Sequence, residues 1–175
     1  ELIMMCAPTV DPVTMAAVVK QESGGQPWVV NNNTTKKSVP FASKAAAVTA
    51  AMAAIGRGES VDLGLAQINS KNLPALGLTV EQVFDPCTNV AALARVLTNN
   101  YNAVSTGRDP QTALRVALSM YNTGSQTRGF RNGYVAKVVG NAGIANAGIS
   151  YAATLPTVAI AEPASDDLRE LLSLE

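Results

Sequence analysis

Residues 61–70 read VDLGLAQINS and interrupt a chain that otherwise carries mostly helical patterns. The stretch is short, contains glycine and is partly β-like, so it is too brief for a helix and predicts an irregular hairpin or turn. Alanine, the strongest helix former, is abundant, while the aromatic residues that favour strands make up only 5% of the chain. We therefore predict a mostly α-helical fold with one small irregular β or turn segment.

The helices on both sides of this segment are marked by their start and stop signals. Three helices are predicted to begin with Asp-Pro, an N-cap residue followed by proline in the first turn. These pairs lie at 11–12, 85–86 and 109–110. Ser43 is the predicted cap of an Ala-rich helix over residues 44–55, which ends at Gly56. A further helix is predicted over residues 133–139, and the asparagines at 31–33 predict a polar loop.

The domain organisation follows from length and composition. A chain of 175 residues is long enough for one substantial core. We predict a folded domain over residues 1–151 and a tail over residues 152–175 that is rich in Pro and Ala and then acidic. No apolar stretch reaches the roughly 20 residues that span a bilayer, so we expect no transmembrane segment. Because the chain begins with Glu1, we interpret it as a processed chain from which any export signal is absent.

Composition excludes several classes of function. Lys plus Arg and Asp plus Glu both number 13 and the basic residues are scattered, so we expect no nucleic-acid partner. The absence of histidine excludes Ser-His and Cys-His nucleophile pairs and His-containing zinc sites. Two cysteines cannot complete a zinc site alone, so we expect no metal. The acid-base group that remains near neutral pH is chiefly a carboxyl whose pKa is raised by its surroundings.

Glu22 lies where such a carboxyl is expected. It ends the helix that starts after Asp11, and the exposed carbonyls of a helix C-terminus disfavour negative charge. That effect raises a pKa by less than about one unit, so burial in a cleft must supply the rest. Taken alone, a glutamate is more often a solvated surface residue.

The two cysteines leave two alternatives open. Cys6 precedes the first predicted helix and Cys87 lies in the first turn of the helix after Asp85. They are either two buried thiols or a disulfide that closes a loop of about 80 residues, which would contribute roughly 4 to 5 kcal/mol to stability in the chain-entropy model.

Three motifs, in order, resemble those of the lysozyme-like lytic transglycosylases: ESG at 22–24, GLAQIN at 64–69 and YN at 121–122. More narrowly, residues 61–70 followed by DPC at 85–87 are similar to the transglycosylases that accompany type IV secretion systems. The resemblance covers residues 8–134. It implies a lysozyme-like α+β fold with a substrate cleft, cleavage of peptidoglycan glycan strands without a cofactor, and a periplasmic location. Secretion-system components are the implied partners, and a disulfide between Cys6 and Cys87 becomes the favoured alternative.

The resemblance also implies roles for residues near the first two motifs. Glu22 is expected to be the catalytic acid and base, and Ser23 a hydrogen-bonding neighbour that fixes its carboxylate. Gln67 is expected to hydrogen-bond the substrate. Asn69 either lines the cleft or stabilises the turn, and both alternatives remain open.

The resemblance also implies roles for the YN motif at 121–122, for Tyr134 and for Asp62. Tyr121 is expected to contact Glu22 or the sugar through its hydroxyl, unless it is a core residue, and Asn122 to bind an N-acetyl or hydroxyl group. Tyr134 is a further candidate for the cleft. In hen-type lysozymes the aspartate at the place of Asp62 is a second catalytic carboxylate, so hydrolysis is an alternative reaction. Asp62 otherwise only stabilises the turn, and a non-catalytic peptidoglycan-binding scaffold is the third alternative.

Overall fold

Nine α-helices, one 3-10 helix and a four-stranded sheet make up residues 1–143, the part of the chain that this computed structural model describes. The helices are α1 (Leu2–Cys6), α2 (Pro12–Ser23), α3 (Lys44–Gly56), the 3-10 helix (Ser70–Asn72), α4 (Leu73–Leu76), α5 (Val80–Val83), α6 (Pro86–Ser105), α7 (Pro110–Thr123), α8 (Arg128–Arg131) and α9 (Tyr134–Asn141). The strands are β1 (Val29–Asn32), β2 (Lys37–Pro40), β3 (Val61–Leu63) and β4 (Ile68–Asn69). The predicted tail at 152–175 and the end of the predicted domain at 144–151 lie outside the described residues.

The long helices begin where their capping residues predict. Each predicted N-cap side chain accepts a hydrogen bond from a backbone N–H two or three residues further on, at Asp11, Ser43, Asp85 and Asp109. Helix α6 is the longest of the described helices and buries Leu93 and Leu97 completely. No helix within residues 1–143 is both long and apolar enough to cross a membrane. The prediction of a mostly helical fold with a small β segment is confirmed.

The sheet is larger than the sequence indicated. Its strand order is β2-β1-β3-β4 and all neighbours are antiparallel. Residues 61–70 form the predicted hairpin, but the prediction of a loop at residues 31–33 is wrong, because Asn31 and Asn32 belong to β1. Asparagine is depleted in strands in general. Here it is accommodated because Asn31 faces a polar partner on the neighbouring strand, with Asn31 and Asp62 opposite each other.

The two faces of the sheet differ in polarity, which follows from the period of two along a strand. Val30, Leu63 and Ile68 are in register across β1, β3 and β4 and are at most 6% exposed. Their neighbours in sequence, Asn31, Asp62 and Asn69, are in register with one another as well. The apolar set belongs to the main core, so the polar set occupies the opposite face of the sheet.

A buried asparagine attaches helix α6 to the turn between β3 and β4. Asn89 is 1% exposed, and its Nδ2 donates to the carbonyl oxygens of Leu63 at 3.0 Å and Val83 at 2.7 Å. Its Oδ1 accepts from the N–H of Ala66 at 2.7 Å. Gly64 has a φ of +76°, and a Cβ at this position would collide with the Asn89 side chain. The turn therefore depends on both residues for its shape.

Cys6 and Cys87 form a disulfide, which confirms the alternative that the resemblance favoured. Their Cα atoms are 5.2 Å apart, and 81 positions separate them in the sequence. The bond joins the end of α1 to the first turn of α6. It anchors a five-residue helix that is too short to be stable alone.

Candidate active site

A cleft of about 380 Å³ lies beside the polar face of the sheet. Its walls come from the end of α2, the turn between β3 and β4, the 3-10 helix, α6 and the end of α7. Six of the predicted site residues line it, and four further residues do so that the sequence did not single out. The lining residues are Glu22, Asp62, Gln67, Asn69, Tyr121 and Asn122, together with Asn33, Ile68, Asn72 and Val96.

Glu22 is the acidic residue at the end of α2, one residue before the helix ends at Ser23. Gly24 follows in the left-handed conformation with a φ of +64°, which terminates the helix and leaves Glu22 at the cleft. Burial raises the pKa of the Glu22 carboxyl to about 7, the hydrogen bond from Tyr134 opposes this rise, and the charge of Asp62 adds to it. Burial supplies the larger part of the shift, as the sequence argument required.

Tyr134 makes the direct contact with the Glu22 carboxyl group. Its hydroxyl donates a hydrogen bond to Oε1 of Glu22 at 2.5 Å, and the residue is 6% exposed. Tyr134 is the first residue of α9, which packs along α2. Burial and the nearby Glu22 carboxyl raise the pKa of the Tyr134 hydroxyl, so it remains a donor. Because 112 positions separate the two residues, only the packing of α9 on α2 brings them together.

Asp62 lies in the same cleft, in a cradle of three asparagine amides. Oδ1 accepts from Nδ2 of Asn69 at 2.7 Å. Oδ2 accepts from Nδ2 of Asn33 at 2.8 Å and from Nδ2 of Asn31 at 3.2 Å. The Asp62 side chain points across the strands to these amides and lines the cleft, so its contacts extend beyond the turn before Gly64. The cross-strand register explains why Asn31 and Asn69 are within reach.

The hydrogen bonds of Ser23 and Tyr121 differ from the expected ones. The Ser23 hydroxyl donates to the carbonyl of Val19 at 3.3 Å and accepts from the N–H of Gly25 at 3.2 Å, so it supports the end of α2 and does not bond the carboxylate. The Tyr121 hydroxyl donates to the carbonyl of Ala66 at 2.6 Å. Tyr121 therefore joins α7 to the turn between β3 and β4, and burial raises the pKa of its hydroxyl, with Glu22 and Asp62 adding to the rise.

Gln67 and Asn69 lie in and just after the turn between β3 and β4, and both line the cleft. Gln67 has a φ of +55°, a left-handed conformation that is unusual for a residue other than glycine. Its Nε2 donates to the carbonyls of Gly64 at 2.9 Å and Val29 at 3.3 Å, which leaves Oε1 as its acceptor for a ligand. Asn69 uses Oδ1 to cap the N–H of Lys71 at 3.0 Å. Both alternatives for Asn69 therefore apply, since it lines the cleft and also stabilises the turn.

Asn33 is a site residue that the sequence analysis missed. It lies just beyond β1, in a run of asparagines that was interpreted as a loop, and lines the cleft. Its Oδ1 accepts from Nδ2 of Asn31 at 3.2 Å while its own Nδ2 donates to Asp62. The run of three asparagines was the available signal, although asparagines by themselves favour a turn. Their target, Asp62, becomes evident only when β1 is paired with β3.

Replacing Tyr134 by Phe is expected to move the Glu22 pKa above about 7, because the hydrogen bond from Tyr134 is the contribution that lowers it. The alkaline limb of kcat/KM should therefore shift to higher pH, because Glu22 then keeps its proton at higher pH. The pH dependence of kcat/KM for the wild type and for Tyr134→Phe measures the shift. Tyr101→Phe is the matched control, since its hydroxyl makes no hydrogen bond to Glu22; an unshifted limb in Tyr134→Phe would contradict the assignment.

Comparison with known proteins identifies the family. The model of the Transglycosylase SLT domain matches residues 3–141. Protein virB1 of Agrobacterium fabrum is 43% identical over 133 residues, which cover 76% of this chain and 54% of the relative. Protein virB1 of Rhizobium radiobacter is 37% identical over 168 residues, covering 96% of this chain and 66% of the relative. Type IV secretion system protein virB1 of Brucella abortus biovar 1 is 39% identical over 153 residues, covering 82% of this chain and 63% of the relative.

The chain thus spans between 54% and 66% of the length of these three relatives. No solved structure matches it. The family match is broader than the cleft, since it extends from the second residue of α1 to the last residue of α9. Because that match covers residues 3–141, most of the chain and every residue that lines the cleft, the chain belongs to the Transglycosylase SLT domain family.

Proposed function

We propose that this protein is a lytic transglycosylase that cleaves the glycan strands of peptidoglycan between N-acetylmuramic acid and N-acetylglucosamine. The observation that carries this proposal is the Glu22 carboxyl, which lies in the cleft with a pKa raised to about 7. At neutral pH such a group is present in both protonation states, so it can give a proton and take one back at little cost. Membership of the Transglycosylase SLT domain family supports the same reaction.

The proposed reaction uses one carboxyl group twice. Protonated Glu22 gives its proton to the glycosidic oxygen, and the bond between that oxygen and the anomeric carbon of the muramic acid breaks. Ionised Glu22 then takes the proton of the C6 hydroxyl of the same muramic acid. The C6 oxygen bonds to the anomeric carbon and closes a 1,6-anhydro ring. Glu22 ends protonated as it began, and no water is consumed.

The other residues of the cleft support this cycle in separate ways. Tyr134 holds Oε1 of Glu22 by its hydrogen bond, which orients the carboxyl toward the cleft. Asp62 places a carboxylate in the same cleft, where it favours positive charge that develops at the anomeric carbon. Gln67 offers its Oε1 to a sugar hydroxyl or amide N–H, and Asn122 offers a polar contact on the α7 side.

The cellular role follows from the named relatives. All three of them are called virB1, and one of these names specifies a type IV secretion system. We propose that this chain opens the cell wall locally in the periplasm so that a secretion channel can be assembled, and that secretion-system components are its partners. The Cys6–Cys87 disulfide supports an oxidising location such as the periplasm.

Hydrolysis is the second candidate, and Asp62 is the observation that favours it. Both oxygens of its carboxylate are oriented by amide donors within the cleft that holds Glu22. In a hydrolase of this kind one carboxyl group protonates the leaving oxygen, and the second stabilises or bonds the anomeric carbon before water attacks. The two reactions share the cleft and differ only in the ends of their products.

Mass spectrometry of the muropeptides released from purified peptidoglycan tests these alternatives. We expect products that end in 1,6-anhydromuramic acid from the wild-type protein, and the same ends at a reduced rate from Asp62→Asn. Reducing ends that disappear in Asp62→Asn would establish the hydrolase instead. If nothing is released although the protein binds the strands, both reactions are excluded and the cleft serves binding alone.

A further inference from the structure

Asn132 makes two side-chain hydrogen bonds, one with the backbone of Tyr134 and one with the side chain of Asn122. It follows helix α8 and precedes α9, and neither its position nor its neighbours in the sequence single it out. Its Oδ1 accepts from the backbone N–H of Tyr134 at 2.9 Å. Its Nδ2 donates to Oδ1 of Asn122 at 2.9 Å. Asn132 therefore lies between the tyrosine that contacts Glu22 and the asparagine that lines the cleft.

The direction of these bonds is fixed by the backbone. A backbone N–H can only donate, so the atom of Asn132 that faces Tyr134 must be the oxygen. The nitrogen of Asn132 then faces Asn122, and because an amide nitrogen donates, Asn122 must present its oxygen to it. Asn122 keeps Nδ2 for other partners. One unambiguous donor thus sets the orientation of two successive amides.

In this orientation Asn122 presents a hydrogen-bond donor, its Nδ2, to the cleft. Asn122 is exposed and lines the cleft, so its Nδ2 is accessible to a ligand there. A carbonyl oxygen can only accept from such a group, whereas a sugar hydroxyl can either accept or donate. A carbonyl ligand therefore depends on the Nδ2 orientation, and a hydroxyl ligand tolerates either orientation.

We propose that Asn132 is a specificity-determining positioning residue, which fixes Nδ2 of Asn122 toward the cleft so that it donates to the acetamido carbonyl of an N-acetylated sugar. The inference rests on the proposed function, since it names the group by which the same cleft recognises its substrate. Asn132 acts through Asn122 and does not itself touch the sugar. It selects N-acetylated strands over β-1,4-linked strands that carry hydroxyl groups at the same carbon.

Asn132→Asp is the variant that inverts this orientation. One aspartate oxygen still accepts from the N–H of Tyr134, so the start of α9 is preserved. The other oxygen can only accept, so Asn122 must turn its Nδ2 toward residue 132 and present Oδ1 to the cleft. A carbonyl ligand then meets an oxygen, and a hydroxyl ligand finds an acceptor.

Calorimetric titration with chitohexaose and cellohexaose tests the inference. Both oligosaccharides are neutral, so the negative charge of the new aspartate at position 132 does not by itself favour one ligand over the other. All variants are made in the Glu22→Gln background to prevent turnover. We expect Asn132→Asp to weaken chitohexaose binding about tenfold, the usual worth of one hydrogen bond, and to change cellohexaose binding by less than about twofold. Asn122→Asp should give the same loss of discrimination, because it presents an oxygen to the cleft while still accepting from Asn132.

Asn102→Asp, an exposed asparagine on α6, is the matched control and should leave both affinities unchanged. The inference is overturned if Asn132→Asp keeps the preference for chitohexaose, if it weakens both ligands equally, or if the background variant binds neither ligand. Cleavage of peptidoglycan by the wild-type protein is measured separately and decides the proposed function. Cleavage with an unchanged preference in Asn132→Asp therefore removes the inference and leaves the proposed function intact.

Discussion

Glu22→Gln is expected to reduce kcat on peptidoglycan glycan strands by roughly a hundredfold to ten-thousandfold, the range that one positioned acid-base group supplies. Glutamine matches glutamate in shape and still offers an oxygen to the Tyr134 hydroxyl, so the local structure should be preserved. What it lacks is the exchangeable proton of a carboxyl group. Initial rates of muropeptide release measure the loss, with Glu81→Gln on the exposed face of α5 as the matched control. Retention of more than about a tenth of the activity would contradict the role of Glu22.

The same variant is expected to be more stable than the wild-type protein at alkaline pH. The pKa of Glu22 is raised from 4.5 to about 7, so the folded state holds this proton more tightly than the unfolded state does. Below about pH 4.5 the two proteins should be equally stable as far as this group is concerned. Between these pH values the wild type loses stability progressively, and above pH 7 the loss reaches about 3 kcal/mol.

Urea unfolding of both proteins at several pH values between about 4 and 9 measures this difference. The free energy of unfolding of Glu22→Gln should exceed that of the wild type only on the alkaline side. Glu81→Gln, on the protein surface, should change it by less than about 0.5 kcal/mol throughout. A difference between wild type and Glu22→Gln that does not vary with pH would show that Glu22 is not a carboxyl held in its neutral form.

Removal of the disulfide should produce the largest loss of stability. Replacing both Cys6 and Cys87 by Ala frees a loop of 81 positions, which costs roughly 4 to 5 kcal/mol in the chain-entropy model. Helix α1 has only five residues, and besides the disulfide it is held by the partly buried side chains of Leu2 and Ile3, while Met4 and Met5 are exposed. The midpoint of urea unfolding measures the change, and amide exchange should show α1 opening first.

Two controls distinguish the loss of the disulfide bond from the loss of the two cysteine side chains. Cys87→Ala alone should be about as unstable as the double variant, because either substitution breaks the same bond. Reduction of the wild-type protein should give the same unfolding midpoint. A loss of less than about 1 kcal/mol in the double variant would show that the bond contributes little beyond the packing of α1.

The helices were predictable because their signals are local. The Asp-Pro pairs at 11–12, 85–86 and 109–110 specify both a capping side chain and a first turn, and the structure begins a helix at each. The short helices α1, α4, α5 and α8 were missed. Segments of four or five residues have no periodic pattern to detect and are stabilised by their tertiary contacts.

The sequence predicted which residues form the site better than it predicted the hydrogen bonds between them. Glu22 and Asp62 were identified, and the structure places both in one cleft. The bond between Tyr134 and Glu22 was not predicted, because the two residues approach each other only through the packing of α9 on α2. Ser23 was given a role at the carboxylate that its hydroxyl does not take, since the end of α2 uses that hydroxyl to bond the backbone.

Residue propensities alone do not predict strand β1. Three asparagines in a row favour a turn by every local measure. Pairing with β3 overrides that preference, because Asn31 and Asn33 then supply two of the three amides that hold Asp62. The residues that disagree with local strand propensity thus lie at the wall of the candidate active site, where Asn33 lines the cleft.

An NMR titration of the Glu22 side-chain carboxyl carbon measures the pKa on which the proposed acid-base role depends, with Glu22→Gln used to assign the signal. The protein should be titrated from about pH 4 to about pH 9, a range that covers an ordinary and a raised glutamate pKa. We expect a midpoint near pH 7, so that the acid and base forms coexist at neutral pH. A midpoint near 4.5 would contradict it, because Glu22 would then be ionised at neutral pH and could not give the proton that bond cleavage requires.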